Sequence, residues 1–74
     1  MAKYRIEVSF KPGVLDTEGE AAGSALKSLG FKVERMAFVK TYLLESSEPK
    51  ARVEEMCRQL LANEVIQDYR VALL

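Results

Sequence analysis

Cys57 is the only thiol in a chain that contains no histidine, so it cannot form the Cys-His pair that activates most catalytic cysteines. It also falls within the series Val53, Met56, Cys57, Leu60 and Leu61, whose spacing of i, i+3, i+4, i+7 and i+8 traces one apolar face of a helix. A neutral thiol buried on such a face acts as a small hydrophobe. The usual zinc ligand sets cannot be assembled from one cysteine and no histidine. Glu54 and Glu55 lie off the apolar stripe and read as a solvated face, open at most to a protein partner.

Two further patterns suggest chemistry and fall short of it. The run Lys11-Pro12-Gly13-Val14-Leu15-Asp16-Thr17-Glu18-Gly19 is the nearest approach to a phosphate-binding loop, but it matches neither the P-loop nor the dinucleotide fingerprint. Asp16, Glu18 and Glu20 would also crowd the following helix N-terminus with negative charge, where an anion would have to sit. The run reads instead as a turn and an N-cap. Tyr4, Phe10, Phe31, Phe38, Tyr42 and Tyr69 could form a base-stacking platform, yet all but Phe31 share the inward phase of their strands, which favours core packing.

The elements that carry these residues follow from periodicity. Tyr4, Ile6, Val8 and Phe10 alternate with Lys3, Arg5, Glu7 and Ser9, which predicts a half-buried strand over Lys3–Phe10. Lys11-Pro12-Gly13 ends it, Asp16 caps a helix over about Thr17–Leu29, and Gly30 suits the position after that helix. Gly19 and Gly23 inside this helix read as sites of close approach to a sheet or partner.

Period two returns in Val33–Phe38 and Lys40–Glu45, predicting two strands joined by a tight turn near Val39-Lys40, with Met36, Phe38, Tyr42 and Leu44 on one side. Neither Asn-Gly nor Asp-Gly marks that turn. Ser46-Ser47-Glu48-Pro49 supplies an N-cap and an early proline for a second helix, which Asn63 would close in the left-handed conformation. A last strand is expected over Asp68–Leu74, with Tyr69, Val71 and Leu73 facing inward. The predicted order is β-α-β-β-α-β, a single α+β domain over 1–74. It forms a two-layer, ferredoxin-like sandwich with a mostly antiparallel sheet and two helices on one face.

The 74 residues bound what this fold can do. A domain of that size buries only about 60% of the surface its unfolded chain exposes, and with neither disulfide nor zinc, oligomerisation is the remaining common support. Ala37, Val39, Leu43, Ala72 and Leu74 fall on the face away from the helices, which predicts a homodimer or higher oligomer through sheet faces or paired edges. Scattered exposed apolar residues are the plainer alternative. Eleven basic residues balance eleven acidic ones, which argues against nucleic acid and anionic membranes as partners. Neither a membrane span nor a signal-peptide pattern is seen, and the expected compartment is the cytoplasm.

Two blocks carry a resemblance that extends over nearly the whole chain. Lys11-Pro12-Gly13-Val14-Leu15-Asp16 followed by Gly19, and Glu55-Met56-Cys57-Arg58-Gln59-Leu60-Leu61-Ala62-Asn63-Glu64-Val65-Ile66-Gln67-Asp68-Tyr69, resemble the PurS family. Its members are the small subunit of phosphoribosylformylglycinamidine synthase. Thr17-Glu18 stands where the family usually has Pro-Gln, and Val39-Lys40 where a Gly-Lys turn is common. Glu64 replaces a proline or threonine and Gln67 an acid, so the departures bear on local turns.

The resemblance implies a non-catalytic assembly subunit of a glutamine-dependent ligase of purine biosynthesis. A glutaminase subunit would release ammonia, and a synthetase subunit would use it with ATP and Mg. This chain would bind no cofactor and would dock the two. A ferredoxin-like small-molecule-binding regulatory domain and a nucleic-acid-binding sheet remain as rival readings. The residues chosen as partner contacts are Lys11, Pro12, Gly13 and Asp16 with Asn63, Glu64 and Asp68, all polar or conformationally special positions outside the core stripes.

Overall fold

Alternation along the first strand has its expected consequence in the computed structural model, which describes residues 1–74. Strand β1 (Ala2–Phe10) is the centre of a three-stranded antiparallel sheet of order β2-β1-β3, flanked by β2 (Lys40–Ser46) and β3 (Gln67–Leu73). The register sets Ile6 opposite Tyr42 and Val71, and Tyr4 opposite Leu44 and Leu73. Directly paired residues share a face, so these apolar side chains form one surface. Helix α2 (Lys50–Met56), continued by a wide π-helical turn (Cys57–Leu61), closes over it. The core is Tyr4, Ile6, Val8, Val53, Cys57 and Ala62, and the Tyr4 hydroxyl donates to the Glu48 carbonyl at 2.8 Å.

Helix α1 (Thr17–Ser28) is bounded as its sequence requires. The Asp16 carboxylate accepts from the Gly19 amide at 2.9 Å. At the other end Gly30 takes φ +96°, and the Gly30 and Phe31 amides donate to the Lys27 and Leu26 carbonyls, the paired bonds of a Schellman motif. Pro12-Gly13 forms a type II turn, with Gly13 at φ +86° and the Val14 amide donating to the Lys11 carbonyl.

The α+β class holds, but the layers differ from the simplest expectation. Val33–Phe38 is not a strand of the sheet, and no tight turn forms at Val39-Lys40. A short hairpin needs positive φ, which β-branched Val39 resists, and only Gly13 and Gly30 have it. Nor do two helices cover one face, because α1 makes at most marginal contact with the sheet. Together with the returning stretch Phe31–Val39 it forms an arm beyond the sheet end, in a molecule 47 × 25 × 15 Å.

Three local expectations also change. Leu60 is 84% exposed rather than in the core, because the π turn adds a residue to the helical repeat. The Ala62 amide bonds to the Cys57 carbonyl five residues back, so Ala62 takes the next inward position. Asn63 is not left-handed, since no non-glycine residue has positive φ; it anchors a turn instead. Pro49 itself is the N-cap of α2, while the Ser46 hydroxyl accepts from the Glu48 amide in the turn before it.

Candidate partner-contact site

The two segments chosen as partner contacts are about fifty residues apart in the sequence, yet they meet at one end of the sheet. Strand β1 pairs Phe10 with Gln67 and Ser9 with Asp68, and the Lys11 amide donates to the Ile66 carbonyl at 2.9 Å. The Lys11-Pro12-Gly13 turn therefore sits beside the turn that leads into β3. Pro12, Gly13, Asn63, Glu64 and Asp68 are exposed, and Lys11 and Asp16 are half-buried.

Asn63 builds its turn with both backbone and side chain. Its amide carbonyl oxygen accepts from the Val65 N–H at 3.0 Å, and its own backbone N–H donates to the Gln67 side chain at 2.8 Å. Its backbone carbonyl accepts from the Ile66 and Gln67 amides. These bonds leave Val65 standing out, 82% exposed, between Glu64 and the sheet. Val65 is an exposed apolar residue beside these turns, outside the set of residues expected as contacts. The signal was present, because a valine between polar turn residues has no helical or strand stripe to join.

Asp16 belongs to the arm as much as to this surface. Its carboxylate accepts from the Phe38 amide at 2.7 Å as well as from Gly19, so one side chain joins the start of α1 to the returning stretch. The Phe38 bond, then the Gly19 bond, hold its pKa below the ordinary value. Both carboxylate oxygens are thereby engaged in structure. A groove of about 760 Å³ runs between the Pro12-Gly13 turn, α1 and Val33–Val39, with charges of both signs along it, Lys11, Lys27 and Arg35 against Asp16, Glu20 and Glu34.

The remaining chemistry is structural. Burial, then the neighbouring Glu54 carboxylate, pushes the Cys57 thiol above its ordinary pKa, the opposite of what a nucleophile needs. Arg58 donates to the Tyr69 hydroxyl at 3.0 Å and ties the π turn to β3. This end of the molecule presents exposed polar turns around Val65.

Residues 3–74 match the model of the PurS family, described as phosphoribosylformylglycinamidine (FGAM) synthase. This chain belongs to the PurS family. A phosphoribosylformylglycinamidine synthase subunit PurS from Archaeoglobus fulgidus is 40% identical over 72 residues, 89% of this chain and 90% of its own length. The Bacillus subtilis PurS crystal structure superposes with a TM-score of 0.87 at 38% identity, covering 100% of this chain and 99% of that one. A chain of the PurLQS structure from Thermotoga maritima superposes with a TM-score of 0.82 at 28% identity, covering 99% of this chain and 96% of that one. The family's fold thus spans both halves of this molecule, the sheet and the arm.

Proposed function

We propose that this chain is the non-catalytic small subunit of a phosphoribosylformylglycinamidine synthase of purine biosynthesis, holding a glutaminase and an ATP-dependent synthetase together. The observation that carries this reading is the full-length likeness to a chain of the PurLQS structure. The side-chain chemistry agrees, because Cys57 is buried as a neutral thiol and the Asp16 and Asn63 side chains are engaged in a cap and a turn.

In this reading the glutaminase frees ammonia from glutamine and the synthetase activates the formylglycinamide oxygen with ATP. Ammonia released into water is protonated and diluted, so the yield depends on how closely the two sites are held. The small subunit contributes surface, with Lys11, Pro12, Gly13, Asp16, Asn63, Glu64 and Asp68 as the contacts. ATP and its Mg belong to the synthetase; the acids around the α1 N-terminus, Asp16, Glu18 and Glu20, are unsuited to a nucleotide's phosphates. The chain acts in the cytoplasm as a homodimer or higher oligomer. No helix is long and apolar enough to cross a membrane.

Size-exclusion chromatography of the purified chain with synthetase and glutaminase subunits tests the docking. Co-elution of the three is expected, and Lys11→Glu or Asp68→Lys should weaken it at constant folded content. Separate elution of the wild-type chain contradicts the reading. Unchanged co-elution of both variants removes those two residues from the contact.

A further inference from the structure

Two adjacent leucines compete for one inward position at the end of α2. Seven α-helical steps place Leu60 within about 20° of Val53 around the helix axis, in the centre of the stripe that buries Val53 and Cys57 completely. The turn observed is wider. Its bond from the Ala62 amide to the Cys57 carbonyl, at 2.9 Å, encloses one residue more than an α turn would. Leu61 therefore packs against the core, and Leu60 is 84% exposed.

The extra residue has a second place to go. Helix α2 is anchored by its buried Val53, and the start of β3 is anchored by the Lys11 bond to Ile66 and the pairing of Gln67 with Phe10. Between these anchors the chain can hold the extra residue in the helix, as the π turn, or pass it to the turn that Asn63 builds. Passing it on closes the last helical turn as α, brings Leu60 inward and sends Leu61 outward. One leucine replaces another, so the apolar volume buried is nearly conserved. The balance then rests on local hydrogen bonds. The π register keeps the Asn63 turn closed, with the Val65 amide on the Asn63 side chain and the Asn63 amide on the Gln67 side chain. The α register gives up that closure and restores i→i−4 bonds in the helix.

We infer that residues 57–66 are a one-residue register switch, with the extra residue held in the π turn of α2 in one state and in the Asn63 turn in the other. Its output is the shape of the surface that carries Asn63 and Glu64, and this consequence rests on the docking reading above. A partner that grips the closed turn selects the π register, and by linkage the π register favours that partner. Arg58 stands at the pivot, where its bond to the Tyr69 hydroxyl ties the observed register to β3.

NMR relaxation dispersion on the purified chain tests the switch. Amides from Arg58 to Ile66 should show microsecond-to-millisecond exchange with a minor state of about 0.1–10%, and those of β1 should not. Leu60→Ser removes the side chain that the α register buries and should suppress the exchange. Leu61→Ser should make the α register the major state and lower the hydrogen-exchange protection of the Ala62 amide at least about tenfold. Deleting Leu60 leaves no residue to move and should abolish the exchange in a folded chain. A wild-type chain without exchange, equal effects of the two serine variants, or exchange that survives the deletion each overturns the switch. With synthetase and glutaminase subunits, Leu61→Ser should bind about tenfold more weakly than Leu60→Ser. Equal affinities overturn the tie to docking, whereas a wild-type chain that does not bind overturns the docking reading and leaves the switch standing.

Discussion

The sheet with α2 and the arm built on α1 have similar amphipathic sequences and opposite outcomes. In the sheet half, Ile6, Val53 and Cys57 are completely buried and the Tyr4 hydroxyl finds the Glu48 carbonyl. In the arm, only the backbone positions of Gly19 and Gly23 are buried, and the larger apolar side chains face out. The difference lies in connection. Strands β1, β2 and β3 register around a shared core, whereas α1 is joined to the sheet by a rigid Pro-Gly turn at one end and an extended stretch at the other. One half buries its apolar side chains within the chain and the other leaves them exposed.

The largest effect that would sharpen this contrast is truncation in the core. Ile6→Ala removes a fully buried side chain between Tyr42 and Val71 and should cost about 2–5 kcal/mol in urea unfolding, enough to unfold so small a chain at moderate temperature. In the whole chain, Phe31→Ser, at a side chain that is 61% exposed, should leave the urea unfolding of the sheet core nearly unchanged. An equal loss of stability from both would erase the distinction.

Gly19→Ala probes how the arm holds itself together. A Cβ there would lie 2.5 Å from an Asp16 carboxylate oxygen and 2.9 Å from the Met36 carbonyl, part of the backbone, so α1 and the returning stretch must separate. A cost of about 1–3 kcal/mol is expected, read as faster hydrogen exchange at the Phe38 amide with the β1 amides unaffected. Gly23→Ala is milder, because its nearest new neighbour is the Met36 side chain at 3.3 Å.

Acid should loosen the arm before it disturbs the core. The folded pKa of Asp16 is lowered, chiefly by the Phe38 amide bond. Its contribution is therefore fully present above the unfolded carboxylate value and is lost as pH falls through the folded value below it. The Phe38 amide resonance should titrate in that acidic window, and Asp16→Asn should flatten the titration. A Phe38 shift that titrates near neutrality would contradict the assignment. The smallest effect belongs to Arg52, whose exposed ion pairs with Glu48 and Glu55 should contribute at most about 0.5 kcal/mol by a double-mutant cycle.

Much of the sheet half was legible in the sequence because local signals and tertiary packing agree there. The alternation of Tyr4, Ile6 and Val8 and the burial of Val53 and Cys57 are present as expected, and in the arm the Asp16 cap and the Gly13 and Gly30 turns, which are purely local, are present too. The errors occur where a local signal needed something absent from its neighbourhood. Val33–Phe38 has strand alternation without a turn to return it to the sheet, and Leu60 has the right helical spacing for a helix that widens just before it. At the contact site, residue types pointed to both turns, but only the β1–β3 register reveals that they adjoin, with Val65 between polar neighbours.

Glutamine-dependent synthesis in a reconstituted system tests the assembly role most directly. Synthetase and glutaminase subunits are assayed with ATP, Mg and glutamine while this chain is titrated in, and again with ammonium salt in place of glutamine. Glutamine-dependent product formation should rise with the chain to a stoichiometric plateau, while ammonium-dependent formation changes little. A glutamine-dependent rate indifferent to the chain would contradict the account.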